Sequence, residues 1–368
     1  MTSSATYSVS HPPKTLCLLR LSALGDITHV LPTLRTLQQH WPQTEITWII
    51  GKNEYPLVKD IEDVNFIVFD KKAGWPGYIA LRKSIRQHQG NRPFDVLLHM
   101  QLSLRASVAS AFIPATIKLG FDKARAKDLQ SVFCNRQIQP QTTRQHVLDS
   151  FLQFPRYFGL EPVLKWQLPV SDAARQAISS QLGQDRKLLV INPCAVAKAK
   201  NWRNWTDAGY AAIADYAATR HNMQVALSGG GNPQEIQSAE NIVSLCQQAQ
   251  PLNLVGKTSL AELVALLDLA DLVLAPDTGP LHIASALNTP VIGLYASTNP
   301  QRAGPYNFQH CVVNKYPQAL LKYHNMNVAD APWGKRIKND KAMGLITVQE
   351  VRQKIDDCIA DREKHPQA

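Results

Sequence analysis

Two apolar rhythms alternate along this chain. Short, nearly continuous apolar runs at 15–21, 45–50, 65–69, 95–100 and 116–120 read as buried strands. Between them lie stretches whose apolar residues recur every three or four positions, at 26–39, 55–62, 78–88, 104–112 and 146–158, and these read as helices. The alternation restarts with strands at 187–192, 223–228, 252–255, 271–275 and 291–296 and helices at 205–219, 233–248, 260–269 and from Pro280 onward. A last amphipathic segment at 348–362 is expected to pack back on the first domain. Strands alternating with helices predict an α/β fold with parallel sheets and right-handed crossovers. The stretch 162–185, with Pro162, Pro169 and no strong period, is the expected domain boundary. The organisation predicted is a disordered tail at 1–13, doubly wound domains at 14–170 and 171–345, and a C-terminal helix at 346–368. Two such domains facing each other would leave a cleft lined by the carboxyl ends of strands.

The most informative segment is Asp277-Thr-Gly-Pro-Leu-His-Ile-Ala. It follows an apolar strand and opens a helix. Asp277 or Thr278 can cap that helix, Gly279 leaves the backbone accessible, and Pro280 suits a first turn. Unpaired N–H groups and the positive end of the helix dipole make such a turn an anion site, and a nucleotide diphosphate is the ligand it suggests. His282 can add a donor there, although a lone helical histidine is more often packed. At the first strand's end, Ser22 to Gly25 form a turn before Asp26, which is either a helix cap or a carboxylate placed to take a proton from an attacking hydroxyl. Glu235 can accept from a ribose hydroxyl or simply favour the start of its helix. Lys198 and Lys200 follow the strand ending at Asn192. Either can neutralise a departing diphosphate or be a loop charge, and Trp202 and Trp205 can anchor the next helix.

A chain of 368 residues suits two cores. No apolar run approaches the ~20 residues that span a bilayer, and the polar N-terminus lacks a signal peptide's apolar centre. A cytoplasmic protein is therefore expected. Six cysteines, none nearer in sequence than Cys311 and Cys358, show no metal knuckle or redox pair. No His, Asp and Glu cluster has metal-ligand spacing, so neither metal nor cofactor is expected. There is no Gly-x-Gly-x-x-Gly and no Gly-x-Ser-x-Gly. The net charge of +10 is uneven: residues 1–170 hold 20 Lys and Arg against 12 Asp and Glu, or +8. Arg105, Lys118, Lys123, Arg125, Lys127, Arg136 and Arg144 are candidates for one basic face toward a phosphorylated or anionic-lipid partner. Basic residues interleaved with aromatics are lacking, which argues against nucleic acid.

These residues together resemble the lipopolysaccharide heptosyltransferases, glycosyltransferase family 9. The likeness is carried by Arg20-Leu-Ser-Ala-Leu-Gly-Asp-Ile, Phe94-Asp-Val with Gln101, Gly120-Phe-Asp122, Phe133-Cys-Asn-Arg136, Val255-Gly-Lys-Thr-Ser-Leu-Ala-Glu-Leu, Asp277-Thr-Gly-Pro-Leu-His282 and Gly304-Pro-Tyr306. Pro332-Trp-Gly-Lys-Arg-Ile337 is similar to the heptosyltransferase I, OpsX-like subgroup. The resemblance implies a GT-B fold of two facing Rossmann-like domains. It implies an inverting, metal-independent transfer of heptose from ADP-heptose to the keto-deoxyoctulosonate of a lipid A acceptor at the cytoplasmic face of the inner membrane, the acceptor meeting the N-terminal domain. It makes Asp26 and Lys200 catalytic, and it gives Thr258, Glu235, Asp277, Thr278, Gly279, Pro280, Leu281 and His282 to the donor. Ser22, Gly25, Arg105, Lys123, Arg125 and Arg136 are assigned to the acceptor. One departure is that Ala195 and Val196 stand where some members carry hydroxyls, which leaves phosphate contacts from that loop to backbone amides or Lys198. Rival readings are a transferase of this fold with another sugar or acceptor, a sugar-nucleotide epimerase, and a non-catalytic nucleotide binder.

Overall fold

The computed structural model describes residues 7–141, 143–183, 186–195 and 201–364. The chain divides into two compact units, Met1–Pro169 and Val170–Ala368.

The first unit runs β1 (Thr15–Leu19), α1 (Leu24–His40), β2 (Glu45–Gly51), β3 (Asn65–Phe69), α2 (Trp75–Gln89), β4 (Phe94–His99), α3 (Leu104–Ala111), β5 (Ala115–Gly120), α4 (Gln130–Phe133), β6 (Arg136–Gln137) and α5 (Val147–Arg156). Its strands form one parallel sheet in the order β3-β2-β1-β4-β5-β6. Cys17 and Leu19 of β1 join Leu81 and Ile85 of α2 and Ala106 and Ala109 of α3 in one core. Leu16 and Leu18 point the other way and are equally buried. A sheet covered on both faces needs runs of apolar residues rather than alternation, which is why its strands are legible as continuous runs. The expected helix at 55–62 is one short turn, Tyr55–Leu57. Residues 7–13 are not a loose tail: the Trp41 indole donates to the Ser8 carbonyl at 3.0 Å, and the Thr44 hydroxyl donates to that of Pro13 at 2.6 Å.

The second unit runs α6 (Asp172–Ser179), β7 (Leu188–Ile191), α7 (Asp207–His221), β8 (Gln224–Leu227), α8 (Pro233–Leu245), β9 (Leu252–Asn253), α9 (Leu260–Leu269), β10 (Leu272–Pro276), α10 (Gly279–Ala286), β11 (Val291–Tyr295), α11 (Pro300–Ala303), β12 (Val312–Asn314), α12 (Tyr316–His324) and α13 (Val348–Lys364). Its sheet is parallel, in the order β12-β11-β10-β7-β8-β9. Counted from each unit's first strand, the two sheets share one topology, with two later strands on one side and three on the other. The stretch 162–185 is not all connection, because Ser171 caps α6 by accepting from Ala174 N. Only Ala174 and Ile178 of that helix are buried, too few positions to show a period.

The C-terminal helix is the clearest correction. Val351, Ile355 and Cys358 of α13 lie in the second unit's own core, with Tyr316, Ala319 and Leu320 of α12. The Tyr216 hydroxyl of α7 donates to Asp356, and Arg362 reaches Asp271 at 2.9 Å. An apolar stripe buries against the nearest unfilled face, and α7 with β12 offers one. This packing also brings the Cys311 and Cys358 sulfurs to 2.9 Å, a thiol pair that spacing along the chain does not show.

Candidate active site

In doubly wound sheets, ligands bind beyond the carboxyl ends of the strands where the strand order reverses. Here those points lie between β1 and β4 and between β7 and β10.

At the first, Gln101 follows β4 and organises the turn after β1. Its Oε1 accepts from Leu21 N at 2.6 Å and Ser22 N at 3.2 Å, and its Nε2 donates to the hydroxyls of Ser22 and Ser103. Arg20, nearly buried, donates from Nη1 to the Met100 carbonyl at 2.6 Å and places Nη2 2.5 Å from Asp26 Oδ2. Its guanidinium lies 5.1 Å from the Phe151 ring centre. Asp26 is not the helix cap. Ala23 occupies that position, and Asp26 stands in the first turn of α1, its Oδ2 accepting from Ala23 N at 3.4 Å. The carboxylate is thus held by a cation and the helix start, yet remains 36% exposed. Gly25 is buried beside it, and its carbonyl accepts from the Thr28 hydroxyl at 2.7 Å.

Two members of the basic segment, Lys118 and Arg125, are engaged by the fold. Lys118 donates to the Ser110 carbonyl at 2.7 Å, and burial pushes its pKa down. Arg125 is tied to Asp122, the Gln139 carbonyl and Gln153 Oε1, so it braces the loop after β5 instead of offering a free cation. Arg105, Lys123 and Arg136 are exposed. Arg136 donates to the Asn135 carbonyl.

At the second point, Asn192 joins three strands: its N–H donates to the Leu274 carbonyl and its side chain to the Ser228 carbonyl, both at 2.9 Å. The following loop is closed at its base. Ala195 N donates to Asn204 Oδ1 at 2.8 Å, and Asn201 Nδ2 donates to the Ala195 carbonyl at 2.9 Å. Val196, Lys198 and Lys200 lie outside the described residues.

Asp277 leaves β10 beside a residue that sequence reasoning missed. Arg203 Nη1 donates to the Asp277 carbonyl at 2.7 Å and lies 3.7 Å from its Oδ2. His282 Nε2 lies 3.6 Å from Oδ1. Burial opposes ionisation of this carboxyl, but the contacts with His282, Arg203 and Thr298 outweigh it and hold its pKa below the ordinary value. Thr278 caps α10 by accepting from Leu281 N, with Gly279 and Pro280 as the first helical residues. Leu281 belongs to the core at 0% exposure, so its side chain shapes the turn from behind.

Glu235 stands in the first turn of α8, capped by Asn232, and is buried; burial raises its pKa against backbone hydrogen bonds from Asn232 and Gly230. A Cβ at Gly230 would come within 2.5 Å of the Glu235 carboxylate, so the glycine makes room for it. Gly256, at φ +73°, packs against Gly231, and half-buried Thr258 follows it. Glu235, Thr258, Asp277, Thr278, Gly279, Pro280 and His282 thus all follow the carboxyl ends of β8, β9 and β10. A row of this kind offers carboxylates to hydroxyls at one end and a helix start to an anion at the other. Arg203 does not stand out in the sequence, because its partner stands 74 positions away.

Residues 79–329 match the family described as Glycosyltransferase family 9 (heptosyltransferase). The chain is 40% identical over 342 residues to the lipopolysaccharide core heptosyltransferase OpsX of Haemophilus influenzae, covering 92% of this chain and 95% of that one. Among solved structures it resembles a family 9 glycosyl transferase from Veillonella parvula, with TM-score 0.76, 20% identity and coverage of 95% and 97%. It also resembles Escherichia coli heptosyltransferase WaaC with ADP, with TM-score 0.69, 21% identity and coverage of 94% and 99%. With a GT-B fold in common and the family match spanning most of its length, the chain belongs to glycosyltransferase family 9, the lipopolysaccharide heptosyltransferases.

Proposed function

We propose that this enzyme transfers L-glycero-D-manno-heptose from ADP-heptose to the keto-deoxyoctulosonate of the lipopolysaccharide inner core, with inversion and without a protein-bound metal. The OpsX likeness supports the core acceptor, and the ADP bound by the WaaC relative supports the donor. Asp26 carries the mechanism: it is a half-exposed carboxylate at a switch point, fixed by Arg20.

In the reaction, the acceptor hydroxyl loses its proton to Asp26 as its oxygen bonds to the anomeric carbon. The bond from that carbon to the phosphate oxygen breaks, and ADP leaves with the electron pair. Negative charge then grows on the diphosphate while the sugar passes through an oxocarbenium-like state. Pro280 has no N–H and the Leu281 N–H is committed to Thr278, so main-chain stabilisation falls to the amides of Thr278 and Gly279 and the start of α10, with Lys200 adding charge. Asp277 takes the heptose hydroxyls, and Glu235 and Thr258 take the nucleoside. Arg105, Lys123 and Arg136 remain the exposed cations for the acceptor's anionic groups.

The test is Asp26→Asn in a transfer assay with ADP-heptose and a purified keto-deoxyoctulosonate–lipid A acceptor. Turnover should fall roughly 10²–10⁴-fold, the usual worth of a general base, with ADP affinity unchanged. Wild-type turnover would remove Asp26 from the chemistry.

A further inference from the structure

We propose that the outer face of α2 is a docking surface for an anionic lipid bilayer. Helix α2 buries Leu81 and Ile85 against the sheet. The face it leaves outward is unlike an ordinary solvated one. Trp75 is 61% exposed and Ile79 58%. They stand four positions apart, and the same helical stripe continues through exposed Lys83 and Arg86. Exposed Lys72 precedes the helix. There is no Asp or Glu anywhere in Trp75–Gln89. The indole is held in place from its inner side, with the Tyr78 and Phe112 ring centres 5.7 Å and 5.6 Å away. Tyr78 in turn stacks on Phe112 at 5.6 Å.

Charge complementarity selects the occupant. Nearby cations that serve the fold are already spent, Lys71 on Glu54 and Arg82 on the Phe112 carbonyl. Lys72, Lys83 and Arg86 have no acid on their own helix to answer them; Asp70, before the helix, caps Lys72 N, pairs with Lys52 and offsets part of the Lys72 charge, and Glu45 faces His88. An indole and an aliphatic side chain at headgroup depth, flanked by long cationic side chains, is the pattern of a helix lying in a membrane interface. Two apolar side chains are a small anchor for a protein partner, whose interface buries about 800 Å² a side. They suffice for reversible bilayer binding when anionic lipid adds its attraction. The inference stands on the exposure and charge of α2 and not on the transfer reaction, so its test needs no sugar substrate.

The experiment is cosedimentation of the full-length protein with vesicles of phosphatidylcholine mixed with phosphatidylglycerol, against pure phosphatidylcholine, at low and high salt. Binding is expected to the anionic vesicles only and to weaken with salt. Lys83→Glu with Arg86→Glu should lower the partition coefficient by about tenfold or more, since each basic residue near such a surface contributes about fivefold. Trp75→Ser with Ile79→Ser should lower it several-fold while the protein stays folded, as circular dichroism reads. Lys322→Glu with Lys341→Glu, on exposed positions of the second unit, carries the same charge change and should leave binding intact. Absence of binding to anionic vesicles, equal loss in that control pair, or a wild-type dimer that Trp75→Ser dissociates would each overturn the proposal.

Discussion

Replacing Arg203 by alanine tests whether the turn after β10 is held as described. The guanidinium makes one strong contact, the 2.7 Å hydrogen bond to the Asp277 carbonyl, and one loose contact, 3.7 Å to the carboxylate. A hydrogen bond from a charged donor is worth about 1.5–3 kcal/mol. Breaking a tight buried ion pair costs about 3–5 kcal/mol, but this pair is loose, and His282 stays 3.6 Å from the same carboxylate. The expected loss is therefore about 2–3 kcal/mol from the second unit, whose melting temperature should fall by roughly 4–12 °C. The pH dependence separates the two parts. The folded Asp277 carboxyl sits below its ordinary value despite burial, so its contribution is present above the unfolded value of about 3.9 and is lost as pH falls through the folded value. Without Arg203 that depression shrinks. The difference between wild type and variant should be largest at neutral pH and narrow in acid to the part owed to the carbonyl bond. Arg203→Lys should restore the pH-dependent part more fully than the rest. Urea unfolding followed by circular dichroism across pH measures this. A variant within about 0.5 kcal/mol of wild type at neutral pH, or a difference that does not change with pH, refutes the reasoning.

Three further outcomes are expected. Lys200→Ala should weaken donor use in transfer kinetics, and unchanged donor kinetics would make Lys200 an ordinary surface charge. Gln101→Leu removes the acceptor for Leu21 N and Ser22 N and should cost about 1–3 kcal/mol for each N–H left buried and unpaired, read by chemical denaturation. Gly256→Ala forces a side chain at φ +73° whose Cβ meets Gly231 Cα at 3.0 Å. It should cost about 1–3 kcal/mol and weaken ADP binding in calorimetry, and an unperturbed variant would show that the loop has room.

The alternation of apolar runs and helical periods determined the fold class by itself, because parallel strands buried on both faces must be apolar throughout and their crossover helices must carry an apolar stripe. Helix α9 and strand β3 have the bounds that periodicity assigns to them. The turn at Asp277 to His282 was legible too, since capping and glycine placement are local chemistry. Short elements such as α4 and β12 carry too few residues to show a period. What only the tertiary structure decided is which side chains meet. Gln101 grips a turn 80 positions earlier, Arg203 clamps Asp277, Arg125 and Lys118 are drawn inward from a basic run, and α13 closes on α7 and β12. Those pairings depend on β4 lying beside β1 and β10 beside β7. Strand order is a property of the assembled sheet, and no stretch of the chain short enough to have a period encodes it.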